Sequence, residues 1–332
     1  MRILSVVRRG YYGSSHAIEP LFLYFTRPLE RMGHEVETFD PAAVAREFGR
    51  NQCTERLLDR IRSGAFDLVL YQNGANRTIQ SSALRQLSRR FCIVAWNSDD
   101  DWQWESCTSH SAGDFTYVVT TYPQVFAAFR NSYPNLVLSQ WGCYSEFSHF
   151  DCPKDIDFSF AGAVYGTRSA ACRYLRKAAG LRCFGRGAQL VDLGLPYFRG
   201  VFRLPWLSGF PLDFKAINEI WNRSRVSFTP MAGGPSGNVL SIKSRTFDMG
   251  LSGTVMLCEN SPHLEHYYEP GKEFVPFESL EDCVAKARFY MRNESARRRI
   301  AERYRDRTLS EHLWEQRFGR LFAEVRLSPT RH

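Results

Sequence analysis

The chain lacks any long apolar segment. Its first apolar stretch, residues 3–7, ends at Arg8 and Arg9 and is shorter than the central region of a secretory signal peptide. No window approaches the roughly 18 consecutive apolar residues of a membrane-spanning helix. We therefore expect a protein with no targeting or transmembrane segment, located in the cytoplasm.

Paired cysteines are also missing. None of the nine cysteines forms a CxxC motif, and no group of Cys and His has zinc-site spacing. An odd number of scattered thiols is typical of a reducing compartment, so neither a disulfide framework nor a structural metal is expected. The sequence has no internal repeat and no helix-turn-helix, zinc-finger or RNP pattern, which argues against the common nucleic-acid-binding modules.

What the sequence does have is size and positive charge. Its 332 residues are enough for two domains of about 150 residues each. The 43 Lys and Arg residues exceed the 35 Asp and Glu residues and give a net charge of +8. This charge suits an anionic ligand such as a nucleotide sugar, or weak association with an anionic membrane surface. A nucleic-acid partner is less favoured, because no recognition motif accompanies the charge.

Short apolar stretches alternate with amphipathic ones along the chain. The first half has predicted strands separated by helices, one of which runs from 19 to 32 and ends at Gly33. The pattern breaks between 145 and 155 and then resumes. Such alternation predicts parallel, doubly wound sheets. We expect an α/β protein with two Rossmann-like domains, at 1–147 and 148–310, and a terminal helical segment at 311–332.

The most informative segment runs from residue 233 to residue 271. A flexible loop, GGPSGN at 233–238, precedes a polar and basic stretch, SIKSRTFD at 241–248. A loop that leads into a helix offers unpaired N–H groups and a positive dipole end, which attract phosphate. We expect Lys243 and Arg245 to bind a diphosphate and Asp248 to accept hydrogen bonds from ribose. The residues expected to border the donor sugar or base are Gly233, Ser236, Gly237 and Asn238. The alternative is an ordinary loop followed by a charged helix face.

Three motifs in this region carry a family resemblance. KSRTFD at 243–248, a small-residue turn at Gly253 and EPGKE at 269–273 resemble the donor-binding segment of CgeB-like (spore maturation protein type) glycosyltransferases. These belong to the group-1 glycosyltransferases of GT-B fold. The resemblance implies two Rossmann-like domains facing across a cleft, with the C-terminal helix crossing back to the N-terminal domain. The chain departs from the family at Asp248, where the usual residue is the longer Glu.

Loops that follow strands supply further candidate residues, because ligands of open α/β sheets bind beyond the carboxyl ends of the strands. After the first strand comes a Gly- and Tyr-rich loop with His16, a candidate general base; capping of the next helix is the alternative.

After the strand predicted at 92–96 come three adjacent carboxylates. Of these, Asp99 and Asp100 are candidates for deprotonating an acceptor. A metal-binding Asp-x-Asp site of the GT-A type, or an N-cap at Asp99, are the alternatives.

The first loop of the second domain, GAVYGTR at 162–168, is rich in glycine. Gly162 and Gly166 leave room for a diphosphate, and Arg168 at the next helix start is placed to reach it. Family members have a Gly-rich turn with Arg at this point, so the resemblance extends to the turn, which includes Tyr165. Taken alone, the motif indicates only a βα turn.

Together these residues predict a metal-independent glycosyltransferase. The donor is expected to be a UDP- or dTDP-linked sugar, acting as a substrate with no separate cofactor. The acceptor is a glycan, a protein or a small molecule. Inversion would need a base such as Asp99, Asp100 or His16. The alternatives are a nucleotide-sugar epimerase or hydrolase of the same fold, a catalytically inactive binding or coat protein, and glycosylation of a nucleic-acid base.

Overall fold

A computed structural model of the chain divides into two compact units. The first comprises Met1–Trp141 with the residues from Trp314 onward, and the second comprises Gly142–Leu313. The sequence places these divisions at 147/148 and 310/311. The structure describes residues 1–10, 17–73, 78–198, 200–233 and 239–325.

In the first unit, the described residues form a parallel sheet of six strands in the order β2-β1-β3-β4-β5-β6. The strands are β1 (Arg2–Val6), β2 (Glu35–Phe39), β3 (Leu68–Gln72), β4 (Ile93–Trp96), β5 (Tyr117–Thr120) and β6 (Leu136–Leu138). All four residues of β4 are fully buried, as expected for a strand with helices on both faces. This order is that of a doubly wound fold, with its switch point between β1 and β3.

The helices of this unit are α1 (Pro20–Tyr24), α2 (Arg27–Arg31), α3 (Pro41–Phe48), α4 (Arg50–Ser63), α5 (Asp100–Gln103), α6 (Ser109–Ser111) and α7 (Pro123–Phe129). The prediction of one helix over 19–32 is wrong. Pro28 lies in the first turn of α2, where its missing N–H costs nothing, whereas inside a continuous helix it would remove a hydrogen bond.

In the second unit, the described residues form a parallel five-stranded sheet in the order β13-β12-β9-β7-β8 and a two-stranded hairpin, β10-β11. The strands are β7 (Ile156–Ala161), β8 (Arg182–Phe184), β9 (Ser224–Thr229), β10 (Ala232–Gly233), β11 (Val239–Leu240), β12 (Val255–Glu259) and β13 (Val275–Phe277). This order repeats the doubly wound plan, with the switch point between β7 and β9.

The helices of the second unit are α8 (Gly166–Ala179), α9 (Ala188–Asp192), α10 (Pro205–Ser208), α11 (Phe214–Arg223), α12 (Arg245–Asp248), α13 (Leu280–Arg292) and α14 (Glu294–Glu311). Phe158, Phe160 and Phe228 lie at the centre of the core, on neighbouring strands. The two α/β sheets agree with the Rossmann-like fold class expected from the sequence.

The last described helix, α15 (Trp314–Glu324), belongs to the first unit. Trp314 is fully buried there, with its ring stacked on Tyr24 at 4.9 Å between centroids and 5.4 Å from that of Trp96. Arg31 and Glu315 form an ion pair beside it. No helix in the described ranges is both long and apolar enough to span a bilayer.

Candidate functional site

Ligands of open α/β sheets bind at the switch point, which in the second sheet lies between β7 and β9. From β7 the chain moves outward to β8 on one side, and from β9 it moves to β12 on the other. The loops beyond the carboxyl ends of β7 and β9 therefore separate and leave a crevice between them. Of the expected donor-binding residues, Gly162, Tyr165 and Arg168 follow β7, while Gly233, Lys243, Arg245 and Asp248 follow β9.

Arg168 joins the two loops. It is 7% exposed, and its guanidinium donates through Nη1 to the Ala163 carbonyl (2.8 Å) and through Nη2 to the Ala232 carbonyl (3.1 Å). Its Cζ atom lies 4.7 Å from the centroid of the Tyr165 ring. Its Nε–H is buried and has no acceptor among the described residues. Arg168 thus brings a full positive charge to the crevice and retains an unused donor.

Arg245 lies beside Arg168 at the end of β7. The Cζ atoms of both arginines are 5.7 Å from the centroid of the Phe160 ring. Gly162 has a φ of +148°, and a Cβ there would lie 3.4 Å from Nη1 of Arg245. Glycine at 162 therefore permits both the backbone conformation and the close approach of the guanidinium.

Lys243 supplies the third cation. Its Nζ donates to Ser241 Oγ, and a Cβ at Gly233 would overlap the ammonium group. Because Gly233 is next to Ala232, whose carbonyl binds Arg168, all three cations lie around the same two loops. The structure thus brings Gly162, Tyr165, Arg168, Gly233, Lys243 and Arg245 together. Ser236, Gly237 and Asn238 lie outside the described residues.

The helix expected after Lys243 is much shorter than the sequence suggests. α12 has four residues and passes at once into a 3-10 turn, Met249–Leu251, so its dipole is small. The longer helix that begins at this crevice is α8, with 14 residues. Its N-cap residue, Tyr165, makes no side-chain capping bond, and Gly166 and Thr167 in its first turn are exposed. The helix start that is available to an anion is therefore that of α8.

Glu259, at the end of β12, was not singled out from the sequence. Its Oε2 accepts hydrogen bonds from the backbone N–H groups of Met231 (2.8 Å) and Ala232 (3.1 Å). The carboxylate thereby fixes the start of the β10-β11 hairpin, which carries Gly233. An acidic residue ending an otherwise apolar strand, VMLCE, is the sequence signal that points to it.

Asp248 lies inside the second unit. Its side chain is 2% exposed, and Oδ1 accepts the Tyr144 N–H at 3.0 Å. This burial contradicts a position for Asp248 on an exposed, charged helix face, while an ion pair with Arg245, three residues earlier, stays an alternative. This hydrogen bond joins the carboxylate to the main chain, and contact with a ribose stays a prediction.

The three carboxylates of the first unit follow β4. Asp100 is 2% exposed and accepts a 2.6 Å hydrogen bond from Thr108 Oγ1, while its Oδ2 has no partner among the described residues. Burial is the main reason that the pKa of Asp100 is raised to about 6, and the charges of Asp101 and Asp99 also raise it. Interactions with the Thr108 and Thr120 hydroxyls lower this pKa but do not outweigh burial. Asp99 occupies the N-cap position of α5 without a side-chain capping bond.

The helix after these carboxylates is irregular. A π-helical turn, Trp104–Thr108, follows α5 and places Thr108 over Asp100; such turns often occur at functional sites. Both carboxylate oxygens of Asp101 are buried without a hydrogen-bond partner in the described part of the chain. No group of three or more His, Cys, Asp and Glu side chains in the described ranges is arranged to hold a metal ion.

A further acid lies at the switch point of the first sheet. Glu19 is 7% exposed and its Oε2 lies 3.7 Å from Nη2 of Arg8. Burial raises the pKa of Glu19 to about 7, even though the charge of Arg8 lowers it. Sequence reasoning missed Glu19, because a lone Glu before a Pro carries no motif. His16, the base suggested for this loop, lies outside the described residues.

The family comparison concerns mostly the second unit. Residues 168–323 match the family model for glycosyl transferase-like proteins. A search of curated proteins finds no significant match.

Solved structures match the whole chain. Sucrose-phosphate synthase from Thermosynechococcus elongatus is 11% identical with a TM-score of 0.64, covering 98% of this chain and 100% of its own. Anabaena HepE, in complex with UDP and glucose, is 11% identical with a TM-score of 0.62 and the same coverage. An alpha-glucosyltransferase in complex with UDP-glucose and DNA containing an abasic site is 11% identical with a TM-score of 0.64, covering 98% and 99%. The fold is therefore GT-B, and residues 168–323 are similar to glycosyl transferase-like enzymes.

Proposed function

We propose that the chain transfers the sugar of a UDP- or dTDP-linked donor to an acceptor, and that it holds the donor diphosphate without a metal ion. The observation that carries the proposal is the convergence of Arg168, Lys243 and Arg245 at the switch point of the second sheet. In Anabaena HepE and the alpha-glucosyltransferase, the molecules bound are UDP or UDP-glucose, which supports a uridine donor here.

The charges suit a leaving diphosphate. Glycosyl transfer releases a nucleoside diphosphate, and negative charge builds on its terminal phosphate as the bond to the sugar breaks. Preorganised cations and helix N–H groups stabilise such charge without reorganising at the moment of reaction. Three cationic side chains and the start of α8 supply this stabilisation, which is the task that Mg²⁺ performs in metal-dependent transferases.

We assign the role of base to a carboxylate beyond the carboxyl ends of β1 or β4, with Asp100 and Glu19 as the two candidates whose raised pKa suits proton transfer near neutral pH. Within the group-1 class, we assign the chain to the CgeB-like type on the motifs at 243–248 and 269–273. The remaining alternatives differ in turnover, because a hydrolase consumes donor without acceptor and an inactive binding protein consumes none.

Titration calorimetry with UDP and with uridine tests the donor site. Lys243→Ala and Arg245→Ala should each weaken UDP binding about ten-fold or more, since a charge-assisted hydrogen bond contributes roughly 1.5–3 kcal/mol. Uridine binding should change little, because it carries no phosphate. Binding of UDP should persist in EDTA.

Two exposed cations of the same unit serve as matched controls. Lys215 on α11 and Arg292 at the end of α13 are exposed and lie outside the crevice. Lys215→Ala and Arg292→Ala remove the same charge and should leave UDP affinity unchanged. Equal losses in the control and test variants would mean that the effect is general electrostatics. Loss of all UDP binding in EDTA would replace the metal-independent proposal with a metal site.

A further inference from the structure

A polar cavity lies in the second unit, at the edge of its sheet that is opposite the crevice. It has a volume of about 320 Å³ and is lined by residues that precede or begin strands: Lys154 before β7, Arg225 at the start of β9 and Gly253 before β12. The amino ends of parallel strands share one edge of a sheet, so this cavity is at the edge opposite the crevice described above. It therefore belongs to neither the donor nor the acceptor chemistry.

The lining of this cavity carries more positive than negative charge. Lys154, Arg225, Arg297 and Arg298 line it, against two carboxylates, Asp151 and Glu294. The cations lie close enough to affect one another. Burial and then the charge of Arg225 lower the pKa of Arg297, and burial lowers the pKa of Lys154 to about 8, with Arg297 lowering it further.

Within the described part of the chain, two of these cations have no carboxylate hydrogen bonded to them. Lys154 Nζ donates to the carbonyl oxygens of Asn222 and Ser252, both at 2.6 Å. Arg297 Nη1 donates to the carbonyl oxygens of Tyr290 (2.9 Å) and Met291 (3.0 Å). Carbonyl dipoles orient these groups, while the carboxylates that act on them, Asp151 on Lys154 and Glu294 and Asp157 on Arg297, are not hydrogen bonded to them within the described residues. Lys154 has three N–H donors, of which these bonds use two.

Arg225 adds an unsatisfied donor. Its Nη1 pairs with Asp157, but its Nε–H is buried without an acceptor among the described residues. A buried N–H that has lost its water and gained no partner destabilises the folded state. An anionic ligand that accepts this hydrogen bond would recover that free energy. Arg298 is already paired, with Asp151 and Glu302, so the cations of the lining without an ion pair among the described residues are Lys154 and Arg297.

We propose that this cavity binds a compact oxyanion of the phosphate class, contacted by Lys154, Arg225 and Arg297. A multiply charged oxyanion matches the clustered cations, offers several acceptor oxygens to the unused donors and fits the volume. A metal cation is disfavoured by the excess positive charge. An uncharged apolar ligand would leave the same groups without compensation.

A thiol in the lining allows ligand binding to be measured at the cavity itself. Of the nine cysteines, all within the described ranges, only Cys107 and Cys152 are partly exposed, and Cys152 lines the cavity. Alkylation by the neutral reagent iodoacetamide can be followed at each thiol by mass spectrometry. Pyrophosphate, added at an ionic strength held constant with NaCl, should slow alkylation of Cys152 in a saturable way and leave Cys107 in the first unit unchanged.

Two neighbouring arginines give a test and its matched control. Arg225→Gln should raise the pyrophosphate concentration needed for half-protection of Cys152 about ten-fold or more. Arg223→Gln removes the same charge two residues away, where Arg223 pairs with Asp155 outside the cavity, and should leave protection unchanged. Should Arg225→Gln fail to fold, Arg298→Gln at the exposed rim is expected to weaken protection by a smaller factor.

Parallel titrations with inorganic phosphate and UDP identify the source of the oxyanion. Protection by pyrophosphate or phosphate but not UDP indicates a free inorganic anion, whereas equal protection by UDP indicates the diphosphate of a nucleotide. No saturable protection by any of the three, or equal protection in wild type and Arg225→Gln, would overturn the proposal. Because the readout is at Cys152, it is independent of whether the crevice at the other edge binds a nucleotide sugar.

Discussion

Replacing Asp100 by Asn should make the first unit more stable at neutral pH. Asp100 is buried, one of its oxygens has no partner in the described chain, and its pKa is raised from 3.8 to about 6. Because one pKa unit corresponds to about 1.4 kcal/mol, ionised Asp100 costs the folded state about 3 kcal/mol. Asn keeps the acceptor for Thr108 Oγ1 and carries no charge.

The sign of the pH dependence follows from the direction of the pKa change. A carboxyl whose folded pKa is raised contributes its full stability below the unfolded value of 3.8, and this stability is lost as pH rises through about 6. The advantage of Asp100→Asn over wild type should therefore be under about 1 kcal/mol at pH 4 and grow to about 3 kcal/mol at pH 7.

Hydrogen exchange of peptides spanning β4 and β5 in increasing urea reports the unfolding free energy of this unit separately from the other. Asp114→Asn is the matched control. Asp114 is equally buried, but it accepts hydrogen bonds from Ser81 (2.8 Å) and Arg85 (2.9 Å), so removing its charge should destabilise the unit at pH 7. An Asp100→Asn advantage that is absent at pH 7, or constant from pH 4 to pH 7, would refute the reasoning.

The same variant separates the two candidate bases. If Asp100 deprotonates the acceptor, Asp100→Asn should lose transfer while gaining stability, the trade-off expected at a strained functional residue. If transfer survives, Glu19 is the base, and Glu19→Gln should abolish it instead.

Two further predictions concern the donor side. Gly162→Ala should cost about 1–3 kcal/mol of stability, because φ is +148° and the new Cβ would lie 3.3 Å from Phe160 Cζ. It should also weaken UDP binding several-fold, since the strained backbone contacts the Arg245 guanidinium at 3.4 Å. Thermal unfolding and calorimetry measure the two effects, and wild-type values for both would contradict the described packing. Asp248→Ala should cost about 1–3 kcal/mol by leaving the buried Tyr144 N–H unpaired, whereas Asp248→Asn, which keeps an acceptor, should cost less. An unchanged ratio of UDP to 2′-deoxy-UDP affinity in Asp248→Asn would remove this residue from ribose binding.

The fold class was predictable because its signals are local. A stretch such as IVAW at β4 is apolar at every position, which is typical of a strand covered on both faces. The alternation of such strands with helices indicates a parallel sheet without knowledge of any distant contact. The break between α1 and α2 could also have been predicted from the sequence, because Pro28 is a local signal against one continuous helix over 19–32.

The contacts of the candidate site could not be predicted in the same way. Arg168 binds the carbonyl of Ala232, 64 residues away, and Asp248 binds the N–H of Tyr144, 104 residues away. Such partners depend on strand order and loop packing, neither of which periodicity specifies. The sequence therefore identified the cationic residues but missed Glu259, whose role is to hold the loop beside them.

The placement of α15 has a consequence for how the chain is synthesised. The aromatic core of the first unit includes Trp314, which stacks on Tyr24 and contacts Trp96. Domains generally fold as units in the order in which they emerge from the ribosome, but here the first unit lacks a central side chain until residue 314 has been translated. The second unit, contained in Gly142–Leu313, has all its residues earlier. Of the two units, the one that starts earlier in the sequence is thus the later to complete its core, and a nascent chain that stalls before residue 314 would expose Tyr24 and Trp96 to chaperones or to other chains.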